Sequence, residues 1–430
     1  MGLFLRTFVA LLLVVSFAGE GLAEESLTLA DCLAVAMQKS TGVAVADSVY
    51  EARQAELRSS RKSLYPSLSY QYTYADLEGS SLVDSTYNST FTLEQPIYRG
   101  GGLVAGVAVR KLAVADADLS RRKSREDLIL RVHENFYGLL SSERLQVEAE
   151  QAFKRLQAHR RDAQAFFDTG LIPRNDLLES EVREAQGEQE LLAASNQLSL
   201  ARSRLNLLLR RPADMPLAVV DCLVSEARPV QWADVLQLAL KNRAEITQRD
   251  LAMEQAKEQI VIARADHLPA LSFSASYQKS GGEYLVDYPY GGPAEEKTAQ
   301  AVASWKFWTW GQGSDKVAAA RQLYRQSKEH RVEVVDTVTL EARRAFLDLL
   351  EAEKNIAVTQ KAIRAAEENY RINEARYQAR LNTSTEVLDA QSLLTKARTS
   401  YFVALHKYNL ALVTLDWVTG TLQTPEKDAS

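Results

Sequence analysis

Few side chains in this sequence combine a type and a spacing that could do chemistry. Cys32 and Cys222 are far apart and belong to neither a disulfide framework nor a metal-binding motif. Gly100-Gly101-Gly102 separates a predicted strand from a predicted helix, but no Lys-Ser/Thr follows it, as it would in a phosphate-binding loop. The histidines are scattered, and most are expected to be exposed helix residues: His133, His159, His267, His330 and His406. We therefore predict no enzyme, no cofactor and no metal site.

Composition and local motifs further limit the functional class of the protein. The formal net charge is −5, which argues against a general nucleic-acid partner. Charged residues are interspersed with Ala and Leu, a pattern typical of the solvated faces of long helices. Cys32 follows Leu29-Ala30-Asp31, which resembles a lipid-attachment site, but Asp31 occupies a position where a small residue is expected. We expect Cys32 to be a small apolar residue in a first helical turn.

The N-terminal residues indicate export. Arg6 precedes the apolar run Phe8–Ala18, and Gly21-Leu22-Ala23 is a small-residue cleavage pattern. Residues 1–23 are therefore predicted to be a signal peptide. The alternative, a membrane anchor, is disfavoured because a spanning helix needs about 20 apolar residues. No later stretch is that long and apolar, so any membrane-spanning part must consist of β-strands.

The strongest signal is an internal duplication. Leu29–Ala36 aligns with Trp232–Ala239, and the same offset places Pro66 on Pro269. Each half is predicted to contain a first helix, a β-hairpin with period-two alternation, a very long helix, a sharp turn and a last helix. The predicted bounds are a first repeat at 24–222 (first helix about 27–64, strands about 67–98, long helix about 103–168), a second repeat at 223–421 (first helix about 230–266, strands about 270–310, long helix about 314–379) and a flexible tail at 422–430.

These lengths restrict the architecture. A helix of about 65 residues is about 100 Å long, and two of the shorter helices laid end to end match it. Each long helix is therefore expected to carry two short helices along its side, as a long antiparallel coiled coil. The four strands cannot close alone in lipid, where a barrel needs at least about eight strands and an open edge is not tolerated. We predict a mainly helical fold whose strands are shared between copies.

Aromatic residues near the ends of the strands fit a membrane interface. Trp305, Phe307, Trp308 and Trp310 crowd the end of the last predicted strand, as aromatic girdles do in membrane barrels. A soluble β-domain with an aromatic core is the alternative.

Four segments give the chain its resemblance to a known family. They are Leu27–Leu33 with its echo at Trp232, Gln95–Gly101 at a strand end, Phe167–Ile172, and Thr385–Gln391 followed by 401–420. Together with the duplication, they resemble the TolC-type outer-membrane efflux proteins over nearly the whole mature chain.

The resemblance implies a homotrimer in which three chains share a barrel of twelve strands in outer-membrane lipid, above a helical tunnel in the periplasm. It implies export of small molecules, such as drugs or metals, or of secreted proteins, with an inner-membrane transporter and a periplasmic adaptor (membrane fusion) protein as partners. A periplasmic coiled-coil scaffold or adaptor without a pore is the alternative. Such adaptors have one helical hairpin and lack the duplicated order.

The resemblance also implies a periplasmic gate. Glu386 and Asp389 match two acidic positions that ring the closed mouth, where carboxylates repel each other and attract cations. The alternative is that they stabilise the start of the last helix, behind an N-cap at Thr383, Ser384 or Thr385.

Asp176 and Tyr377 match positions that latch the mouth, but the family's basic latch residue is missing. Arg380 or Arg174 could replace it. Arg380 stands where the first turn has Gly170, so the two turns are expected to differ in detail. Finally, Cys32 and Cys222 match the belt around the tunnel, and we predict a periplasmic disulfide between them.

Overall fold

The fold is described for residues 26–76, 85–281 and 295–422 of a computed structural model. The predicted signal peptide and all but Leu422 of the predicted tail lie outside these ranges. In chain order the elements are β1 (Ser26–Leu27), α1 (Leu29–Lys39), α2 (Thr41–Lys62), β2 (Ser67–Asp76), β3 (Ser85–Arg99), α3 (Gly102–Asp168), α4 (Arg174–Leu208), β4 (Ala218–Val219), α5 (Trp232–Asn242), α6 (Ala244–Ala265), β5 (Ala270–Gly281), β6 (Glu295–Ser304), α7 (Gln312–Gln378) and α8 (Ser384–Val418).

The chain repeats the order of helix, hairpin, long helix and helix, with one difference from the sequence prediction. Each first helix is divided in two, because the backbone is extended at Ser40 and at Arg243. The Ser40 hydroxyl accepts a hydrogen bond from the Val43 N–H at 3.3 Å and so caps α2. The prediction of one continuous first helix was wrong in both repeats.

The helices are arranged in long antiparallel pairs. α3 and α7 each contain 67 residues, a length of about 100 Å. The short helices lie along them end to end. Near the start of α3, Arg110 pairs with Glu56 of α2 at 3.1 Å, and near its end Arg160 pairs with Glu184 of α4 at 3.5 Å. The predicted mainly helical fold class is confirmed. Within the described ranges, no helix is long and apolar enough to cross a membrane.

Each repeat has its own apolar core, located where its short helices meet the middle of the long helix. Only one side of α3 and of α7 is packed against the short helices, so each core forms a stripe along its long helix. Many apolar side chains on the other sides remain exposed. In the first repeat the core includes Cys32, Ala36, Leu128, Val132, Phe136, Leu139 and Leu205. In the second it includes Val235, Ala239, Val338, Ala342, Leu349, Tyr408 and Leu415.

The hairpins of the two repeats form one antiparallel sheet in the order β2-β3-β5-β6. The junction between the repeats is the β3–β5 pair, which shifts register between Pro96 and Tyr98. This β-bulge leaves Ile97 without a paired residue on β5. β2 and β6 are the outer strands, and among the described residues neither has a partner on its outer edge.

The sheet has two chemically different faces, because directly paired residues project to the same side. On the apolar face Tyr70 pairs with Phe91, which pairs in turn with Tyr277. The Tyr70 and Phe91 rings lie 4.7 Å apart and both are exposed. We call the opposite side the hydroxyl face. It carries Ser67, Ser69, Gln71, Thr73, Thr90, Thr92, Glu94, Ser272, Ser274, Ser276, Gln278, Thr298 and Gln300.

The aromatic segment after β6 differs from the prediction. β6 ends at Ser304, not near residue 310, so Trp305 and the aromatic residues that follow it are outside the strand. The Trp305 indole N–H donates to the His267 carbonyl at 2.9 Å, and Trp310 and Gly311 adopt the left-handed backbone conformation before α7 begins. The chain therefore turns here, and the aromatic side chains of this turn are strongly exposed.

A buried ionic group joins the two repeats. Glu148 of α3 is 3% exposed and pairs with Arg155 of the same helix at 2.8 Å. It also pairs with Arg398 of α8 at 3.3 Å, and Arg398 reaches Glu367 of α7 at 2.8 Å. A carboxylate this deeply buried needs both arginines to offset its desolvation.

We predict that Glu148→Gln lowers the free energy of unfolding by about 3 kcal/mol, because it leaves the largely buried Arg155 guanidinium without its counter-ion, whereas Arg398 keeps Glu367. The matched control is Glu150→Gln on the same helix. Glu150 is exposed and pairs with Lys154, so its loss should cost less than about 1 kcal/mol. Thermal unfolding in detergent measures both. Equal effects of the two variants would show that the buried group contributes no more than a surface pair.

Candidate functional site

The two helical hairpins end in matching turns, far from the sheet. In the first turn Gly170 has φ +70°, and the Leu171 N–H donates to the Phe166 carbonyl at 2.8 Å. In the second, Arg380 has φ +62°, and the Leu381 N–H donates to the Arg376 carbonyl at 2.7 Å. Both are the same helix-terminating motif. The two turns therefore share one backbone motif, because Arg380 adopts the left-handed conformation that usually requires glycine, and they differ in detail through their side-chain contacts.

The acidic pair lies at the start of α8, just after the second turn. Glu386 and Asp389 are both exposed and, being three residues apart, share one side of the helix. Asp389 lies 3.9 Å from Arg183 of α4. Thr383 is the N-cap by its backbone position, but its side chain makes no capping hydrogen bond. Both carboxylates are exposed and thus accessible to solvent and ions at this end of the chain.

Tyr377 is in a buried cluster that we call the mouth cluster: His159, Phe166, Tyr377 and Ser384. His159 Nε2 lies 2.7 Å from the Ser384 hydroxyl oxygen. The Tyr377 ring centroid is 4.9 Å from that of His159 and 5.6 Å from that of Phe166. Three helices contribute, since His159 and Phe166 belong to α3, Tyr377 to α7 and Ser384 to α8.

Burial controls ionisation in the mouth cluster. It lowers the pKa of His159, because the imidazolium would lose its hydration, and the Asp162 and Glu179 carboxylates only partly oppose this effect. Burial also raises the pKa of Tyr377, to which Asp162 and Asp176 add, while Ser384 opposes the rise. At neutral pH the cluster is therefore uncharged.

Asp176, Arg380 and Arg174, the other candidate latch residues, do not form a shared ion pair. Asp176 is half-buried, and its carboxylate accepts a hydrogen bond from the neighbouring Asn175 amide at 3.0 Å. The Arg380 guanidinium lies over the Phe166 ring, 5.8 Å from its centroid. Arg174 is exposed. The Asp176 carboxylate acts electrostatically on Tyr377, and the buried hydrogen bond between the two hairpins at this level is that of His159 with Ser384.

Sequence analysis did not identify His159 as a site residue, because most histidines were expected to be exposed. Only His330 is exposed, whereas His159 is 6% exposed and the other three are half-buried. The available signal was weak. His159 is one helical turn from Ala163 on the apolar stripe of α3, but its partner Ser384 is 225 residues away.

The predicted disulfide is not present in the structure. Cys32 and Cys222 are both free. Cys32 is enclosed in the first core, where burial and the adjacent Asp31 carboxylate raise its pKa to about 11, whereas Cys222 is exposed in the linker after β4. One thiol is buried in the core and the other is exposed, and the two sulfur atoms do not make the contact that a disulfide requires. In the described ranges no three acidic, His or Cys side chains are grouped as a metal site.

An open-edged sheet above two very long helical hairpins, with paired carboxylates at the far end, defines a channel-tunnel class of membrane protein. The chain matches the model of the outer membrane efflux protein family twice, over residues 33–209 and 235–421, and it belongs to that family. Membership confirms the predicted class, an exporting channel protein of the outer membrane.

Individual proteins resemble this chain in sequence or in fold. The alkaline protease secretion protein AprF of Pseudomonas aeruginosa is 25% identical over 429 residues, covering 92% of this chain and 85% of AprF. The fold matches that of CusC with a TM-score of 0.81 and 15% identity, covering 91% of this chain and 92% of CusC. It matches the open state of the Neisseria gonorrhoeae MtrE outer membrane channel with a TM-score of 0.79 and 18% identity, covering 92% and 90%.

The left-handed turn residue yields a test. Arg380→Gly and Arg380→Ala both remove the guanidinium from the Phe166 ring, so they differ only in the backbone cost at φ +62°. We expect the Gly variant to be more stable than the Ala variant by about 1 kcal/mol per chain. Thermal unfolding of both variants checks this. Equal stabilities would mean that the turn relaxes when Arg380 is replaced.

Proposed function

We propose that three copies of this chain form one outer-membrane channel that exports cargo from the periplasm. The observation that carries the proposal is the four-stranded sheet, whose faces differ in polarity and whose outer strands β2 and β6 have no outer partner within the described part of the chain. Lipid does not tolerate unpaired backbone groups, so the edges must pair with other copies. Three copies supply twelve strands, which exceeds the minimum of about eight for a closed barrel.

The two faces of the sheet indicate which side contacts lipid and which side lines the pore in the proposed trimer. Exposed rings such as Tyr70, Tyr72 and Phe273 suit the hydrocarbon and interfacial zones of a bilayer. The hydroxyl face, which consists mainly of Ser, Thr and Gln, suits a water-filled lumen. In the proposed trimer the apolar face contacts lipid, the hydroxyl face lines the pore, and the helices continue the pore into the periplasm.

The helical end is the proposed periplasmic gate. In a trimer the exposed Glu386 and Asp389 side chains form two rings of three carboxylates each, around the axis of the mouth. Such rings favour cations in a narrow pore. Leu171 and Leu381, exposed at the two turns, are the proposed docking points for the periplasmic adaptor and, through it, the inner-membrane transporter.

Secreted protein is the cargo class that we propose first. The 25% identical relative AprF is named for protease secretion and aligns over most of both chains. The likeness to CusC and MtrE, at 15% and 18% identity, supports the fold and leaves small-molecule export as the second cargo class. Deleting the gene in its own host and comparing secreted proteins with drug and metal tolerance distinguishes the two.

The gate assignment predicts a conductance phenotype. In a planar bilayer, Glu386→Ala with Asp389→Ala should give a larger current and a several-fold lower preference for cations, because the carboxylate rings are lost. Glu368→Ala is the control. It removes an exposed carboxylate of α7 that pairs with Arg371 and should change neither property. A double variant with wild-type conductance and selectivity would exclude the gate role.

A further inference from the structure

A series of polar contacts holds the two helical hairpins together along the α3–α8 contact. Starting from the middle of the hairpins, Glu148 pairs with Arg398 at 3.3 Å, and the Gln391 amide donates to the Ala152 carbonyl at 3.0 Å. The contact of His159 with Ser384 comes next, about two helical turns from Ala152. It is the described α3–α8 hydrogen bond closest to the turns.

Other contacts at this level are more exposed. The Thr385 hydroxyl donates to Glu179 at 3.0 Å, and Arg183 is 3.9 Å from Asp389 with exposed side chains on both. Solvent-exposed pairs of this kind contribute little. His159 and Ser384 are 6% and 1% exposed, so their contact is shielded from water. Breaking it without a replacement leaves buried polar groups, a cost of about 1–3 kcal/mol per group.

We propose that His159 is the positioning residue that fastens the α7–α8 hairpin to the α3–α4 hairpin, and that its protonation releases the hairpin and opens the mouth. This inference rests on the proposed gate at Glu386 and Asp389. It assigns the role of closing the gate to the mouth cluster. The acidic pair keeps the role of selecting ions.

The direction of the pH response follows from the groups around the ring. From α3 the Asp162 carboxylate faces His159, and from α4 the Glu179 carboxylate does so. Tyr377 of α7 and Ser384 of α8 are neutral. The carboxylates favour the imidazolium, but burial prevails and the pKa of His159 stays below its ordinary value of about 6.5.

Opening the mouth exposes the ring and returns its pKa toward that ordinary value. A group whose pKa is lower in the closed state stabilises that state fully above the open-state pKa, and the stabilisation is lost as the pH falls. Acid therefore favours the open mouth, starting near pH 6.5. Each unit of pKa difference changes the open-to-closed ratio by up to about tenfold per subunit.

The test is the open probability of the channel in a planar bilayer between about pH 7.5 and about pH 5.5. The Glu386→Gln/Asp389→Asn background removes the titration of the acidic rings. The parent channel, which carries these two substitutions and keeps His159, should open as the pH falls. His159→Gln, whose amide can reach Ser384 but does not titrate, should stay closed at both values. Ser384→Ala should already open more at about pH 7.5, and the exposed control His330→Gln should behave as the parent does.

A His159→Gln channel that retains the parent's pH response would overturn the proposal. A protein that conducts no ions would contradict the proposed function. In that case a second measurement still tests the role of His159. Hydrogen exchange of the turn at residues 377–386 in the wild-type protein should be faster at about pH 5.5 than at about pH 7.5, after correction for intrinsic exchange. The difference should vanish in His159→Gln. An identical acceleration in that variant would also overturn the proposal.

Discussion

The unpaired strand edge is the constraint on which the rest of the structure depends. Backbone N–H and C=O groups cannot be left without hydrogen bonds in hydrocarbon. Among the described residues, the sheet of β2, β3, β5 and β6 leaves two such edges, which pair with other copies in the proposed trimer. The duplication of the chain fits this constraint, because each repeat contributes one hairpin and the β3–β5 pair joins the two hairpins into one four-stranded sheet.

The long helices also leave surface that a single chain does not bury. α3 and α7 are too long for a globular core, and each buries only a stripe against its short partners. Apolar side chains on other sides, such as Leu340 of α7 at 71% exposure, remain exposed in the single chain and are available to neighbouring copies in the proposed trimer. The buried Glu148 group joins the two repeats near the middle of the hairpins, and the contact of His159 with Ser384 joins them near the turns.

Local patterns predicted most of this architecture. Period-two alternation identified the hairpins, and Pro66 and the glycines after β3 marked element ends, because these signals act within a few residues. The end of β6 was missed because Trp305 and Phe307 continue the alternation, while the turn depends on a contact with the His267 carbonyl. The positions of Glu386 and Asp389 came from the family resemblance. The burial of His159 comes from packing with a distant helix, which periodicity does not show.

The central claim is that β2 of one copy pairs with β6 of another. Its most direct test uses cysteines at Gln71 of β2 and, in turn, at Thr298, Gln300 and Val302 of β6, with Cys32 and Cys222 replaced by Ser. In the membrane, oxidation should join separate chains at one of these registers and give a covalent ladder that ends at the trimer on a non-reducing gel. Bonds formed only within single chains, or a ladder that ends at another number of copies, would contradict the account.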